Sequence, residues 1–451
     1  MKSLKQFLLA LLVITSSLQH AFAQDKQIGN EKPEQKQQRM AWWTNARFGM
    51  FIHWGLYAGA ARHEWVKRSE FMNNEQYQPY FDNFNPDMFN PKEWAKQAKA
   101  AGMKYAVLTA KHHEGFCLFD SKYTDYKAPN TKAKRDLVKE FVDAFRAEGI
   151  KIGFYYSLID WHHPDFIVDI CHPQQPQDKS DSAYARINKG KDWNKYKTYL
   201  HNQVKELLTN YGKIDILWLD FSYPDSNGHG KDKNDWGSVE LLKMIRKLQP
   251  GILVDNRLDL NDYKDGADFV TPEQVKPADL DKYAGTPFET CQTFSGSWGY
   301  FRDENSWKTN HELLTLLITA VSNGGNLLLN VGPTARGYFD YRANLALDSM
   351  GIWMKYNNQS IYNCKQAPAA FAVPENTLLT YNQTEKKIYV HLMNYNAQAL
   401  SLPGYKGKIK YARFLHDASE VRYKVEGNDI ILTLPVKKPN VAVPVVELLL
   451  L

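Results

Sequence analysis

Between Phe48 and Pro333, short apolar runs rich in β-formers alternate with amphipathic stretches of helical period, and this rhythm constrains the chain more than any other feature. Strands are expected at Gly49 to His53, Lys104 to Thr109, Lys151 to Ser157, Ile214 to Asp220, Ile252 to Asn256 and Asn326 to Val331. Helices are expected at Pro91 to Ala101, Arg135 to Glu148, Asn194 to Tyr211, Ser238 to Lys247 and His311 to Ser322, most of them ending near a Gly or Pro stop. Repeated βα units surround a parallel sheet, and continuously apolar strands are buried on both faces, as in a barrel or a doubly wound sheet. No Gly-x-Gly-x-x-Gly follows the first strand, which weighs against a dinucleotide fold. The polar residues decide between the two. His53, the pair His112-His113, Tyr155, Asp220 and Arg257 each fall at or just past the C-terminal end of an expected strand, and in a (β/α)8 barrel those ends share the face that carries the active site.

After about Ile361 the pattern changes to short alternating strands, at Thr377 to Tyr381, Lys387 to Met393, Lys408 to Phe414 and Ile430 to Leu434, as in an antiparallel β-sandwich. The expected fold is therefore α/β: a (β/α)8-like TIM barrel followed by a C-terminal antiparallel β-sandwich. Residues 24–362 are assigned to the barrel and 363–451 to the sandwich. Residues 1–23 read as a secretory signal peptide: Lys2 and Lys5 precede the apolar run Phe7 to Ile14, and Ala21-Phe22-Ala23 stands before Gln24. That run is too short to cross a bilayer and no Cys near the cleavage point offers a lipid anchor, so a secreted, periplasmic protein without a membrane anchor is expected. A formal charge of +6 on 451 residues is small and gives no reason to expect nucleic acid or an anionic membrane as partner. The four cysteines are too few and too scattered for a disulfide scaffold or a zinc motif, though one disulfide is allowed. Two polar segments, His172 to Lys191 and Asp225 to Asp235, are expected as loops on the active-site side, where such insertions set substrate range.

Asp220 ends the apolar run Ile214-Asp215-Ile216-Leu217-Trp218-Leu219-Asp220, so its carboxylate emerges from a dry strand at the barrel mouth. It is read as a nucleophile, which asks for a second carboxyl group about 5 to 5.5 Å away if configuration is retained. Two glutamates compete for that role, Glu273 in Thr271-Pro272-Glu273-Gln274 and Glu289 in Phe288-Glu289-Thr290, both read as lying at strand ends. A general acid needs an apolar setting or a nearby carboxylate to keep its proton near neutral pH, and flanking Pro and Phe residues are expected to supply that setting at both. His112 and His113 precede Glu114. As neighbours on an extended segment they are expected to point to opposite sides, and without His-x-x-x-His or Cys-x-x-Cys spacing they are read as hydrogen-bonding groups for sugar hydroxyls, not as metal ligands. No metal and no cofactor is expected.

Five motifs then occur together and in order: Arg47-Phe48-Gly49-Met50-Phe51-Ile52-His53-Trp54-Gly55, His63-Glu64-Trp65, Thr109-Ala110-Lys111-His112-His113-Glu114-Gly115-Phe116, Gly153-Phe154-Tyr155-Tyr156-Ser157 and Asn326-Leu327-Leu328-Leu329-Asn330-Val331-Gly332-Pro333. With them the chain resembles the α-L-fucosidases of glycoside hydrolase family 29, from about Trp43 to beyond Pro333. The resemblance implies a barrel followed by a sandwich, retaining hydrolysis of terminal α-L-fucose from a fucosylated glycan, and Asp220 as nucleophile with Trp218 lining the pocket. It also implies that His53, Glu64, His112, His113 and Tyr155 hold the fucose hydroxyls, that Arg257 is a pocket arginine, and that Trp298 lies near the sugar's methyl group. Glu273 resembles the acid/base of some bacterial members and is favoured. Glu289, with Cys291 nearby, resembles the glutamate proposed in animal-type members and is the alternative. The chain departs from a common pattern after the nucleophile, where Phe221-Ser222-Tyr223-Pro224 replaces a Gly-containing turn, which bears on leaving-group preference.

The activity implied is that of an exo-acting retaining glycosidase working by double displacement. An apolar pocket at the sugar's methyl group selects it over a 6-hydroxylated sugar by roughly 1 to 3 kcal/mol. The rivals are a non-catalytic fucose-binding protein and a retaining barrel hydrolase for a related sugar.

Overall fold

The computed structural model describes residues 28–395 and 398–451, so the expected signal peptide lies outside the described residues. Seven parallel strands form one sheet in the order β5-β4-β3-β2-β1-β7-β6. They are β1 (Phe48–Ile52), β2 (Tyr105–Lys111), β3 (Lys151–Ser157), β4 (Ile216–Asp220), β5 (Leu253–Val254), β6 (Glu289–Thr293) and β7 (Asn326–Val331). The gap between β5 and β6 is filled by an irregular segment. Asp255 bridges Phe269, Val270 bridges Phe288 and Glu273 bridges Cys291, all in parallel sense. The segment supplies Asp268 N to Val254 O at 2.8 Å on one side and takes Glu289 N on Val270 O at 2.9 Å on the other. With it the sheet curls into a (β/α)8-like barrel, as expected.

Two members of the ring were not among the six expected strands, each for a physical reason. The segment around Val270 contains Pro272, which has no N–H to give to a ladder and limits it to bridges. Strand β6 reads Glu-Thr-Cys-Gln-Thr, a polar string, yet every residue of it is buried.

The helices form where amphipathic spacing and end signals agree. Pro91–Ala100 has Pro at its first position and buries Trp94, Ala95 and Ala98, at helical spacing. In Leu137–Ala147, the Asp136 side chain caps the Lys139 N–H, and Leu137, Val138, Phe141, Val142 and Phe145 face the sheet. Asn310–Ser322 opens with a reciprocal capping box between Thr309 and Glu312. These helices and the outward faces of the strands share one apolar layer, while a second cluster fills the barrel itself, with Phe51, Tyr105, Tyr155, Trp218, Phe269, Cys291 and Leu328 contributed by successive strands.

The C-terminal region holds a five-stranded antiparallel sheet and a three-stranded one. The first is built from β8 (Lys365–Gln366), β9 (Thr377–Asn382), β10 (Lys387–Leu392), β12 (Ile409–Phe414) and β15 (Val445–Leu450); the second from β11 (Ala399–Leu402), β13 (Tyr423–Glu426) and β14 (Asp429–Thr433). Strand period explains how the sandwich meets the barrel. In β10, Ile388 and Val390 enter the sandwich core, whereas Tyr389, one residue out of phase, packs on the barrel's apolar layer. Trp353 Nε1 donates to Val443 O at 2.8 Å across the same boundary. All four cysteines are free thiols, so the disulfide allowed by the sequence does not form.

Candidate active site

Side chains two residues apart on a strand point the same way, so each strand sends a column of residues into the barrel. The columns run Phe51 to His53, Ile216-Trp218-Asp220 and Glu289-Cys291-Thr293, with Phe269-Thr271-Glu273 on the irregular segment. At the C-terminal ends they open into a pocket of about 450 Å³. His53, Glu64, His112, His113, Tyr155, Trp218, Asp220, Arg257, Glu273 and Trp298 all line it, together with Phe51, Trp65, Phe221 and Cys291.

Asp220 is held at both oxygens. Tyr155 Oη donates to Oδ2 at 2.6 Å and Arg257 Nη1 to Oδ1 at 2.9 Å. Burial pushes the carboxyl up to about 6, against the opposing pull of Arg257 and Tyr155, while the charge of Glu273 adds to the rise. The same guanidinium donates through Nη2 to Glu273 Oε2 at 2.9 Å, so one arginine joins the two carboxylates, and it lies over the Trp218 ring at 4.8 Å. Asn256 secures the strand ends around it by accepting from Thr271 N and Oγ1 at 3.2 and 3.1 Å, and Arg257 Nε donates to Thr271 Oγ1 at 2.9 Å.

Two expectations about the second carboxylate are corrected. The Glu273 side chain is 45% exposed and paired with Arg257, so the apolar setting expected around it is absent. Glu289 does sit in an apolar setting but is not in the pocket wall. It opens β6 instead of closing a strand, which puts it at the N-terminal floor of the barrel, where it is fully buried and accepts from Tyr105 Oη, Trp43 Nε1 and Trp218 Nε1. Burial raises its carboxyl to about 7 against those three donors. Gly49 makes room for this arrangement, since a Cβ there would overlap the Tyr105 ring.

The histidine pair also differs from expectation. Strand β2 ends at Lys111 and the chain turns at once, so His112 and His113 lie together, ring centroids 4.0 Å apart, and both face the pocket. His113 Nδ1 meets Ser157 Oγ at 2.7 Å, and its Nε2 stands 3.9 Å from Asp220 Oδ2. His112 Nδ1 is buried with no hydrogen-bond partner among the described residues. Burial holds both imidazoles well below the ordinary histidine range, and takes His53 down to about 3 although its Nδ1 bonds Asn330 Oδ1 at 2.6 Å. Glu64 accepts from Gly299 N at 2.8 Å, and burial raises its carboxyl. Asn330 was missed as a positioning residue: its amide also donates to Trp298 O at 2.7 Å, fixing two pocket walls at once. It stands inside a motif singled out in the sequence, and the two-residue period of β7 points it inward. Among the described residues, no group of three or more His, Cys, Asp or Glu side chains is arranged to hold a metal ion.

Backbone strain gathers around the pocket. His63, Phe221 and Gln274 have φ of 66°, 92° and 47°, and they flank Glu64, Asp220 and Glu273 respectively.

A buried carboxylate and a second one, joined by an arginine at the C-terminal mouth of a barrel and walled by aromatic rings, define a glycoside hydrolase. The sequence model of the α-L-fucosidase family matches residues 14–359. Human plasma α-L-fucosidase is 34% identical over 348 residues, covering 71% of this chain and 69% of that one. Among solved structures, α-L-fucosidase isoenzyme 1 from Paenibacillus thiaminolyticus matches with a TM-score of 0.84 and 43% identity, over 92% of this chain and 99% of that one. A family 29 α-L-fucosidase from Bacteroides thetaiotaomicron, trapped as a covalent intermediate with 2-fluoro-fucosyl fluoride in a glutamine-for-glutamate variant, matches with a TM-score of 0.79 and 29% identity, over 94% and 99%. The chain belongs to the α-L-fucosidase family, glycoside hydrolase family 29.

Proposed function

We propose that the chain is an exo-acting retaining α-L-fucosidase in which Asp220 is the nucleophile and Glu273 the acid/base, acting on terminal α-L-fucose of a glycan. The observation that carries this assignment is the single Arg257 guanidinium held by both carboxylates at the mouth of one pocket. Asp220 attacks the anomeric carbon while the bond to the leaving oxygen breaks and Glu273 gives that oxygen a proton. Water then attacks the fucosyl-enzyme, Glu273 takes the water's proton, and Asp220 leaves.

Both steps pass through an oxocarbenium-like transition state, and contacts that tighten there raise the rate more than equal ground-state contacts do. His53, Glu64, His112, His113 and Tyr155 are assigned to the sugar hydroxyls. Phe51 and Trp298, with ring centroids 6.0 Å apart, offer the apolar patch for the methyl group, with Trp218 on the pocket floor. On this reading 24–362 carry the chemistry and 363–451 buttress them. The chain is secreted through 1–23 into a periplasm, consistent with the described residues containing no helix long and apolar enough to span a membrane.

The test is proton NMR of an aryl α-L-fucoside during early turnover. α-L-Fucose as the first-formed anomer is expected; β-L-fucose would overturn double displacement, and turnover of an α-galactoside in preference to the fucoside would overturn the sugar assignment.

A further inference from the structure

Phe221 follows the nucleophile with φ of 92°, a backbone region that glycine enters freely and an aromatic residue enters only under strain. Its neighbours hold it there. Ser222 Oγ donates to Arg257 O at 2.6 Å and accepts from Trp236 Nε1 at 3.1 Å. Tyr223 pairs with Lys231 across a hairpin, and both side chains converge on Asp169 Oδ2, at 2.5 and 3.0 Å. That buried ion pair ties the insertion containing 225–235 to the one containing 172–191, which, unlike the plain loops expected, carry the short helices Lys233–Trp236 and Asp181–Ile187, so the strained residue is fixed from two insertions. The ring packs on Trp65, His113 and Tyr223 at centroid distances of 5.7, 5.2 and 5.1 Å, and it lines the pocket.

Burial divides that pocket into an inner end and a rim. Phe51, His53, Tyr155, Trp218 and Asp220 are buried, whereas Trp65 and Phe221 reach solvent, as does Glu273. Trp298 is also partly exposed, but it packs on Phe51 and His53, away from the nucleophile's strand. An exo-acting site seats one sugar at its inner end, so the leaving group lies at the rim. Flat aromatic faces there suit the C–H face of a pyranose.

We propose that Phe221, backed by Trp65, is the leaving-group wall of this enzyme, a specificity-determining ring for cyclic aglycones whose presence accounts for a strained aromatic where glycine would fit. The inference rests on the fucosidase reading above and adds the determinant of aglycone preference.

The experiment compares wild type, Phe221→Gly and Phe221→Trp on 4-nitrophenyl α-L-fucoside and on α-L-fucosyl fluoride, whose one-atom leaving group cannot reach the wall. Phe221→Gly is expected to lose about tenfold more kcat/KM on the aryl fucoside than on the fluoride, chiefly through KM, with Phe221→Trp restoring most of it. The melting temperature of Phe221→Gly is expected to move little, because relief of the backbone strain opposes the loss of the ring's packing on Trp65, His113 and Tyr223. Equal losses on both substrates, or no loss on either, overturn the wall while leaving the fucosidase reading intact. Failure of wild type to turn over the fluoride overturns that reading itself.

Discussion

The mouth and the floor of the barrel each hold a buried or half-buried carboxylate system, and they are built to opposite ends. At the mouth, Asp220 and Glu273 share the cation Arg257, and Glu273 reaches solvent. At the floor, no cation among the described residues pairs with Glu289. Three neutral donors on Tyr105, Trp43 and Trp218 meet its two oxygens, and no water reaches it. A carboxylate that reaches solvent and shares its cation can exchange partners as a substrate arrives, whereas a carboxyl sealed among aromatic donors acts as a structural plug. Conservation of chemistry at one end and of packing at the other is the usual division of labour in this fold.

The comparison can be broken by experiment, and the largest effect is expected at Asp220, the proposed nucleophile. Asp220→Ala should lower kcat on an aryl α-L-fucoside by about 10⁴-fold or more, with azide restoring turnover as β-L-fucosyl azide. Absence of that product would move the nucleophile elsewhere. Glu273→Ala should cost about 10²- to 10⁴-fold, least with an activated leaving group, and azide should there yield the α-anomer. Glu289→Ala should give no azide product of either configuration. Its signature should be loss of stability by about 3 kcal/mol in denaturant unfolding, since it strands the Tyr105 hydroxyl and two indole N–H groups in the barrel interior. An α-azide product from Glu289→Ala, with Glu273→Ala inert to azide, would exchange the roles of the two ends.

The smallest effect concerns pH. Asp220 is pushed by burial from 3.8 up to about 6, so between those values the folded chain keeps a proton that the unfolded chain releases. Ionising Asp220 therefore subtracts stability as the pH rises through that window. Asp220→Asn, which cannot ionise, should gain on the order of 1 kcal/mol relative to wild type between pH 4 and pH 7. Melts at the two pH values measure it, and a pH-independent difference would mean that Arg257 and Tyr155 fully offset the burial.

Much of this site was legible from strand period alone. His53 and Asp220 end apolar runs and Tyr155 lies two residues before the end of its strand, and residues near such ends in a barrel share its mouth. The histidine pair was legible as pocket residues but not in orientation, because the turn directly after Lys111 replaces the extended geometry that adjacency implies. Phe221 was visible as a departure from a Gly-containing turn, but its strained backbone and its place at the rim depend on Asp169, Lys231 and Trp236, far away in the chain.

What the sequence determined by itself was local: where apolar runs of period two and period 3.6 begin and end, and hence the βα rhythm, the helix caps and the residues at strand termini. Only the tertiary structure decided which glutamate faces the pocket. Glu273 and Glu289 each follow a short stretch that holds a Pro and a Phe, and the difference between them is the direction of a column. Glu273 follows its inward neighbours Phe269 and Thr271 up to the mouth, while Glu289 starts a polar strand whose burial is possible only because Trp43, Tyr105 and Trp218, drawn from three other elements, meet it inside the closed barrel.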